Sequence, residues 1–157
     1  MTEILRFDTR AEFQRLLAAV LERAQVSLEL FDPDFSLFVL GEPDADAILR
    51  RFLRGSGTLR LAMHDPRHIE RNWPRFLRLL REHGHRIECR VTNRGIRQLT
   101  DSFCIADGVH LVRRFHSDHL RGEAAFDALQ ETEVPRERFA AIWEESQPGL
   151  HATVTGL

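Results

Sequence analysis

The chain has 157 residues, of which 43% are hydrophobic and 29% charged, and its formal net charge is −2. This length and composition predict one globular domain over residues 1–157 and exclude a disordered chain. Every non-histidine basic residue is an arginine, so mechanisms that depend on a lysine, such as Schiff-base formation or a lysine general base, are excluded.

No apolar run approaches the roughly 20 residues that a membrane helix needs, and the first residues lack the pattern of a signal peptide. We therefore expect a cytoplasmic protein that does not contact a membrane. Cys89 and Cys104 lie in apolar, strand-like segments, which predicts that both are buried as free thiols with a structural role.

The first third of the chain predicts one helix and two extended segments. Thr9 and Glu12 form a capping box, and the apolar spacing that follows predicts a helix to about Ala24. Residues 26–31 alternate as a strand. Residues 35–40 are predicted to form a second extended run.

The central part of the chain predicts two helices separated by a strand. Pro43 is placed for the first turn of a helix that ends at Gly55, and residues 58–63 form a short strand. A second helix is expected between Pro74 in its first turn and Gly84 at its end.

The last part of the chain predicts a strand, a hairpin and a closing helix. Residues 86–91 alternate as a strand, and Asp107-Gly108 between residues 103–106 and 109–112 is a strong signal for a two-residue hairpin turn. Pro135 is predicted to lie near the start of a final helix that covers the sheet.

Strands that alternate with helices predict an α/β fold with a mostly parallel sheet, right-handed crossover helices and an appended antiparallel hairpin. In such sheets ligands bind beyond the carboxyl ends of the strands. The polar residues that directly follow the predicted strands are Asp32, Asp34, His64, Asp65, Arg67, Thr92, Asn93 and Arg94.

The order of these elements, with the hairpin at Asp107-Gly108, resembles one half of the phospholipase D superfamily over residues 9 to 147. The signature of that superfamily is His-x-Lys-x-x-x-x-Asp before the hairpin turn. Aligned on Asp107, the histidine position holds Thr100 and the lysine position holds Ser102. The following Gly-Ser-x-Asn stretch of the superfamily falls on residues 114–117, which do not match it.

The resemblance therefore implies the fold and argues against the activity, because neither the histidine nucleophile nor the phosphate-binding lysine is present. It also implies a homodimer, since the superfamily builds its cleft from two halves related by a two-fold axis and this chain supplies one.

Charge is distributed unevenly along the chain. Residues 60–97 contain ten arginines and four acidic residues, whereas residues 122–147 contain seven acidic residues and two arginines. The first segment is expected to attract anions and the second to repel them.

The segment 113–121 has three arginines and two histidines directly after the hairpin, and it is the best candidate for a binding site. By the resemblance, either Arg113 or Arg114 would project near the phosphate position, and strand alternation would send the other to the opposite face. The predicted ligand-binding residues are His64, Asp65, Arg67, Arg113, Arg114, His116 and His119. No catalytic residue, metal ligand or cofactor is assigned.

These observations favour a noncatalytic module that binds an anionic ligand, either a phosphate-containing molecule or a nucleic acid. One alternative is a phosphodiesterase or other hydrolase that uses His64, His116 and His119, although adjacent residues such as His64 and Asp65 point apart in an extended segment. A protein–protein interaction domain is a further alternative. The histidine and cysteine spacings do not favour a zinc site.

Overall fold

The computed structural model describes residues 1–151, and the remaining residues of the predicted domain, 152–157, lie outside this range. The helices are α1 (Arg10–Arg23), α2 (Pro43–Arg54), α3 (Arg67–Asn72), α4 (Pro74–Glu82) and α5 (Leu129–Glu144). The strands are β1 (Glu3–Phe7), β2 (Ser27–Phe31), β3 (Thr58–Met63), β4 (Ile87–Thr92), β5 (Ser102–Ala106), β6 (His110–Arg114), β7 (Gly122–Phe126) and β8 (Ser146–Pro148).

The strands form one eight-stranded sheet in the order β1-β7-β6-β5-β2-β3-β4-β8. The α/β class is confirmed, but the prediction of a mostly parallel sheet is wrong. Only β2–β3 and β3–β4 pair in parallel, and the other five pairings are antiparallel. The difference arises because β5, β6 and β7 follow one another without crossover helices, while the short strands β1 and β8 add an antiparallel pairing at each edge.

Helices cover both faces of the sheet. One apolar cluster joins α1, α2, α3 and α4 to one face, and a second cluster joins α5 to the other. Alternation along β5 divides its side chains between them, because Cys104 belongs to the first cluster and Phe103 and Ile105 belong to the second. Within residues 1–151, no helix combines the length and the hydropathy that a membrane span requires.

The predicted capping box begins α1. The Thr9 hydroxyl accepts the Glu12 amide at 3.1 Å, and the Glu12 carboxylate accepts the Asp8 amide at 3.3 Å. The apolar stripe that the sequence places on this helix is buried against the sheet.

The predicted hairpin turn is also confirmed. Asp107 and Gly108 have φ angles of 55° and 70°, which is the backbone geometry of a type I′ turn. The Asp107 carboxylate accepts the amides of Gln25, Val26 and Ser27, and these bonds tie the turn to the start of β2.

Two local predictions are wrong. Residues 35–40 form turns and no strand, because Phe35 and Val39 adopt positive φ angles of 63° and 46° that an extended run excludes. Pro135 lies inside α5, which starts earlier, at Leu129. Pro135 is one of the buried residues of this helix, and its missing amide removes one intrahelical hydrogen bond.

Candidate functional site at the carboxyl edge of the sheet

The carboxyl ends of β2, β3 and β4 meet at one edge of the sheet, as expected for parallel neighbours. Asp32 follows β2, His64 follows β3 and Thr92 ends β4. The His64 amide donates to the Pro33 carbonyl at 2.9 Å, and His64 Nδ1 lies 2.6 Å from Thr92 Oγ1. Polar residues that are distant in sequence are therefore adjacent at this edge.

Strands β5 and β6 bring two further polar residues to the same edge. Arg114 Nη2 donates to Asp32 Oδ1 at 2.8 Å, and Arg114 Nε donates to Ser102 Oγ at 3.2 Å. All three side chains are buried. They form a polar network beneath the surface of this edge. The guanidinium of Arg114 also lies over the ring of Phe13 on α1.

The Asp32 carboxylate accepts hydrogen bonds at both of its oxygens. Its Oδ2 accepts the amides of Asp34 and Phe35 at 3.0 and 2.7 Å. Burial raises the pKa of the Asp32 carboxyl, although hydrogen bonding by Ser102 and the charge of Arg114 act in the opposite direction. The network neutralises the guanidinium of Arg114 inside the protein.

His64 is held through both ring nitrogens. Nε2 lies 2.9 Å from the Leu99 carbonyl, which accepts only, so Nε2 carries a proton and Nδ1 faces the Thr92 hydroxyl. The ring also packs edge-on against Phe31, with 5.3 Å between the ring centroids. These contacts give His64 a role in joining β3 and β4 to the segment before β5.

Asp65 and Arg67 form a local ion pair at the start of α3. Arg67 donates to both carboxylate oxygens through Nε and Nη2, with the shorter contact at 2.7 Å. Hydrogen bonding from Arg67 lowers the pKa of Asp65 to about 2. Asp65 does not bond His64, so the structure does not assemble these two residues as a base and its orienting carboxylate.

Two loops cover the edge, and we call them together the rim: residues 93–100 and residues 115–121. They meet where the Thr100 carbonyl accepts the Ser117 amide at 2.9 Å. Arg114 supports the second loop from below, because its Nη1 donates to the Ser117 carbonyl at 2.7 Å. The basic side chains of the rim are Arg94, Arg97, His116, His119 and Arg121, and its one acidic residue is Asp118.

The rings of His116 and His119 lie 5.0 Å apart in the second loop. His116 Nδ1 accepts the Asp118 amide at 3.0 Å, which orders the turn between them. Arg94, His119 and Arg121 are exposed, so basic side chains of both loops reach solvent at the same edge.

Arg113 lies on the face opposite to Arg114, as strand alternation requires. It donates to Glu123 at 2.7 Å and its guanidinium lies 5.4 Å from the Phe115 ring. A groove of about 450 Å³ runs beside it and is bounded by Thr100 and Arg138, which is paired in turn with Asp101.

The predicted site residues therefore separate into two groups. His64, Arg114, His116 and His119 converge on one edge, whereas Arg113 lies on the α5 face and Arg67 pairs with Asp65. Sequence reasoning singled out neither the link from Asp32 to Arg114 nor the link from His64 to Leu99. The one available signal was that Asp32 directly follows a strand.

Within the described part of the chain, no three histidine, cysteine, aspartate or glutamate side chains are grouped closely enough to hold a metal ion. The two cysteines are buried, and burial raises the pKa of both thiols, that of Cys89 to about 12.

The fold is that of the phospholipase D class. The structure of Nuc from Salmonella typhimurium, a phospholipase D family member, superimposes with a TM-score of 0.69 at 14% identity, covering 95% of this chain and 99% of that one. The phosphatidylserine synthase of Haemophilus influenzae Rd KW20 gives 0.65 at 12% identity, over 97% of this chain and 40% of that one.

A third similar structure is TrmBL2, an archaeal chromatin protein with a novel mode of DNA binding, at a TM-score of 0.70 and 11% identity. The alignment covers 93% of this chain and 54% of the TrmBL2 chain. At these identities the likeness establishes the fold alone. No curated protein matches this chain in sequence.

The chain belongs to the family described as a domain of unknown function (DUF7931), whose model matches residues 9–151.

Proposed function

We propose that this protein is a noncatalytic cytoplasmic module that binds a phosphate-containing anion at the rim, either a small phosphorylated molecule or a nucleic acid. The observation that carries the proposal is the meeting of the two rim loops. It brings three arginines and two histidines to one edge of the sheet with a single acidic residue among them.

The basic groups of the rim are suited to a phosphate. Arginine binds phosphate through forked, charge-assisted hydrogen bonds, and histidine adds a donor at each protonated ring nitrogen. Arg97 donates to the Thr92 carbonyl through Nε and Nη2 at 3.3 and 3.2 Å, which fixes its guanidinium while other donors remain. Arg94 and Arg121 are exposed, so their guanidinium groups are accessible to a ligand.

Arg114 has a supporting role in this proposal. Its charge is compensated by Asp32, and its Nη1 group holds the Ser117 carbonyl. It therefore orders the loop that presents His116 and His119 and does not itself need to reach the ligand.

The absence of catalysis rests on the positions that correspond to the superfamily signature. Thr100 and Ser102 stand where the resemblance places the histidine nucleophile and the lysine, and Ser102 is enclosed by Arg114. A hydroxyl without a general base is a weak nucleophile, and an enclosed serine does not supply the positive charge that phosphoryl transfer needs.

Similar folds support an anionic ligand. The neighbours include a phospholipase D family member, a synthase of a phospholipid and a chromatin protein that binds DNA. A hydrolase built on His64, His116 and His119 is less well supported, because both ring nitrogens of His64 are already bound to Thr92 and Leu99.

Binding is tested by titrating the protein with inorganic phosphate, with a mononucleotide and with a fluorescein-labelled single-stranded oligonucleotide. Changing Arg121 or Arg94 to glutamine is expected to weaken binding about tenfold, since a charge-assisted bond contributes roughly 1.5 to 3 kcal/mol. Added salt should weaken binding further.

Arg10→Gln is the matched control, because Arg10 is an exposed arginine at the start of α1, outside the rim. Equal affinity for wild type, Arg94→Gln and Arg121→Gln, or binding that salt does not weaken, would contradict the proposal and favour the interaction-domain alternative.

Catalysis is tested with bis(p-nitrophenyl) phosphate, phosphatidylcholine and single-stranded DNA, and we expect no turnover. Turnover that survives repurification and disappears in His116→Ala would establish the hydrolase instead.

A homodimer is part of the proposal, because this chain corresponds to one half of the two-fold fold and a second copy can supply the other half through an isologous interface. Light scattering is expected to give a dimeric mass at micromolar concentrations, and a monomeric mass would remove this part.

A further inference from the structure

The basic segment of the sequence folds into an arginine-rich surface far from the α5 face. Arg71 lies at the end of α3, and Arg75, Arg78 and Arg81 follow along α4. All four are exposed. We call these four residues the arginine face.

The packing of α4 fixes the direction of these side chains. Phe76, Leu79 and Leu80 are buried in the core of the sheet, so the arginines between them point away from it. None of the salt bridges formed within residues 1–151 involves an arginine of this face. Glu82, the acidic residue at the end of α4, is bound to Arg50 of α2.

The opposite side of the molecule has the opposite charge. Helix α5 packs on the other face of the sheet and carries four glutamates and two arginines. The side of α3 and α4 is thus richer in arginine than α5, although Glu70 of α3 is also exposed, and this imbalance favours the approach of a polyanion from the α3 and α4 side.

We propose that the arginine face is a second binding surface, separate from the rim, that docks on the phosphate backbone of double-stranded DNA. Arg75 and Arg81 are six residues apart, which is about 9 Å along a helix axis. Phosphates of one strand repeat about every 3.4 Å along the duplex axis, so this helix matches two or three of them. Arginine adds the forked geometry that suits phosphate.

The face lacks the features that a membrane or an ordinary protein partner requires. The exposed large apolar side chains of residues 1–151 include Phe115, Leu129 and Val134, and none lies on α3 or α4. A membrane-surface helix needs an apolar face to insert, and a protein interface needs an apolar core. Phosphate-backbone contacts need only cations.

The test is the anisotropy of a short fluorescein-labelled DNA duplex titrated with wild type and with the triple variant Arg75→Gln, Arg78→Gln, Arg81→Gln. The triple variant should bind at least tenfold more weakly at low salt. The slope of log K against log salt should fall by about 2 to 3, because each lost phosphate contact removes roughly 0.9.

The matched control is Arg10→Gln, Arg15→Gln, Arg136→Gln, which removes the same charge from exposed positions on α1 and α5. It should retain most of the affinity. An equal loss in both triple variants would overturn the proposal, since net charge alone would then explain binding. Binding of anionic phospholipid vesicles without binding of the duplex would also overturn it.

Titration with inorganic phosphate separates this inference from the proposed function. The α4 triple variant should bind phosphate at the rim as wild type does. If the wild-type protein binds phosphate but not the duplex, the arginine face is overturned and the rim proposal stands. If the wild-type protein binds the duplex but not phosphate, the rim proposal is overturned and the arginine face stands.

Discussion

Arg114 Nη2 lies 2.8 Å from Asp32 Oδ1, and the two side chains are only 3% and 2% exposed. The pair joins the end of β6 to the end of β2, and Ser102 closes it from β5. The charge of Arg114 is thus neutralised by Asp32 in the protein interior. The exposed arginines at this edge belong to the rim loops.

Replacement of Arg114 by glutamine should destabilise the protein by about 3 to 5 kcal/mol, because it leaves the carboxylate of Asp32 buried without its ionic partner. Chemical denaturation measures this loss. Arg113→Gln is the control, since its half-exposed pair with Glu123 should contribute about 1 kcal/mol or less.

The double variant Asp32→Asn, Arg114→Gln should recover part of the stability lost in Arg114→Gln, because an amide in place of the carboxylate removes the unpaired charge. If the double variant loses more stability, relative to wild type, than the two single variants lose in total, the pair is not the source of the effect.

The turn residue Asp107 should be sensitive to alanine and tolerant of asparagine. Alanine removes the acceptor of three backbone amides and disfavours the φ of 55°, for a loss of about 2 to 3 kcal/mol. Asparagine keeps one acceptor oxygen and adopts positive φ readily, so its cost should be near 1 kcal/mol or below. If the two variants unfold at the same urea midpoint, the Asp107 side chain does not stabilise the turn as described.

The two thiols should be unreactive in the native protein. Cys89 and Cys104 are buried, and burial raises the pKa of each thiol, so almost no thiolate is present at pH 8. A disulfide-exchange reagent such as Ellman's reagent should detect both cysteines only after denaturation. Rapid reaction of either thiol in the native state would show that its strand opens.

The ion pair of Asp65 with Arg67 should contribute stability that depends on pH. The pKa of Asp65 is lowered from 3.8 to about 2 in the folded state, so the contribution is present above about pH 4 and is lost as pH falls toward 2. Because Arg67 is largely exposed and Asp65 is partly exposed, solvent screening keeps this contribution small.

Asp65→Asn is therefore expected to be slightly less stable than wild type at pH 7, and the difference should shrink between pH 4 and pH 2. Unfolding curves at several pH values measure it. A difference that stays constant with pH would assign the effect to the Asp65 hydrogen bond to the Arg67 amide rather than to the charge.

Local patterns determined much of this fold. The capping box at Thr9 and the buried stripe of α1 depend on contacts within a few residues, and the Asp107-Gly108 turn depends on backbone geometry. These signals are complete in the sequence. They also sufficed to predict the α/β class and the resemblance to the phospholipase D superfamily.

Weak or misleading local signals account for the elements that sequence reasoning missed. Strands β1 and β7 have few apolar alternations, and β8 is three residues long, so each is specified by pairing with its neighbour. The apolar run at residues 35–40 satisfies the pattern of a strand, but its burial comes from turns packed beneath the helices.

The sequence by itself determined that Arg113 and Arg114 point to opposite faces, because strand side chains alternate. Only the tertiary structure decided which of them is buried. Arg114 meets Asp32, 82 residues away, whereas Arg113 remains at the surface beside Glu123. The physical reason is that a buried charge requires a partner of opposite sign, and the identity of that partner depends on which strands become neighbours in the sheet.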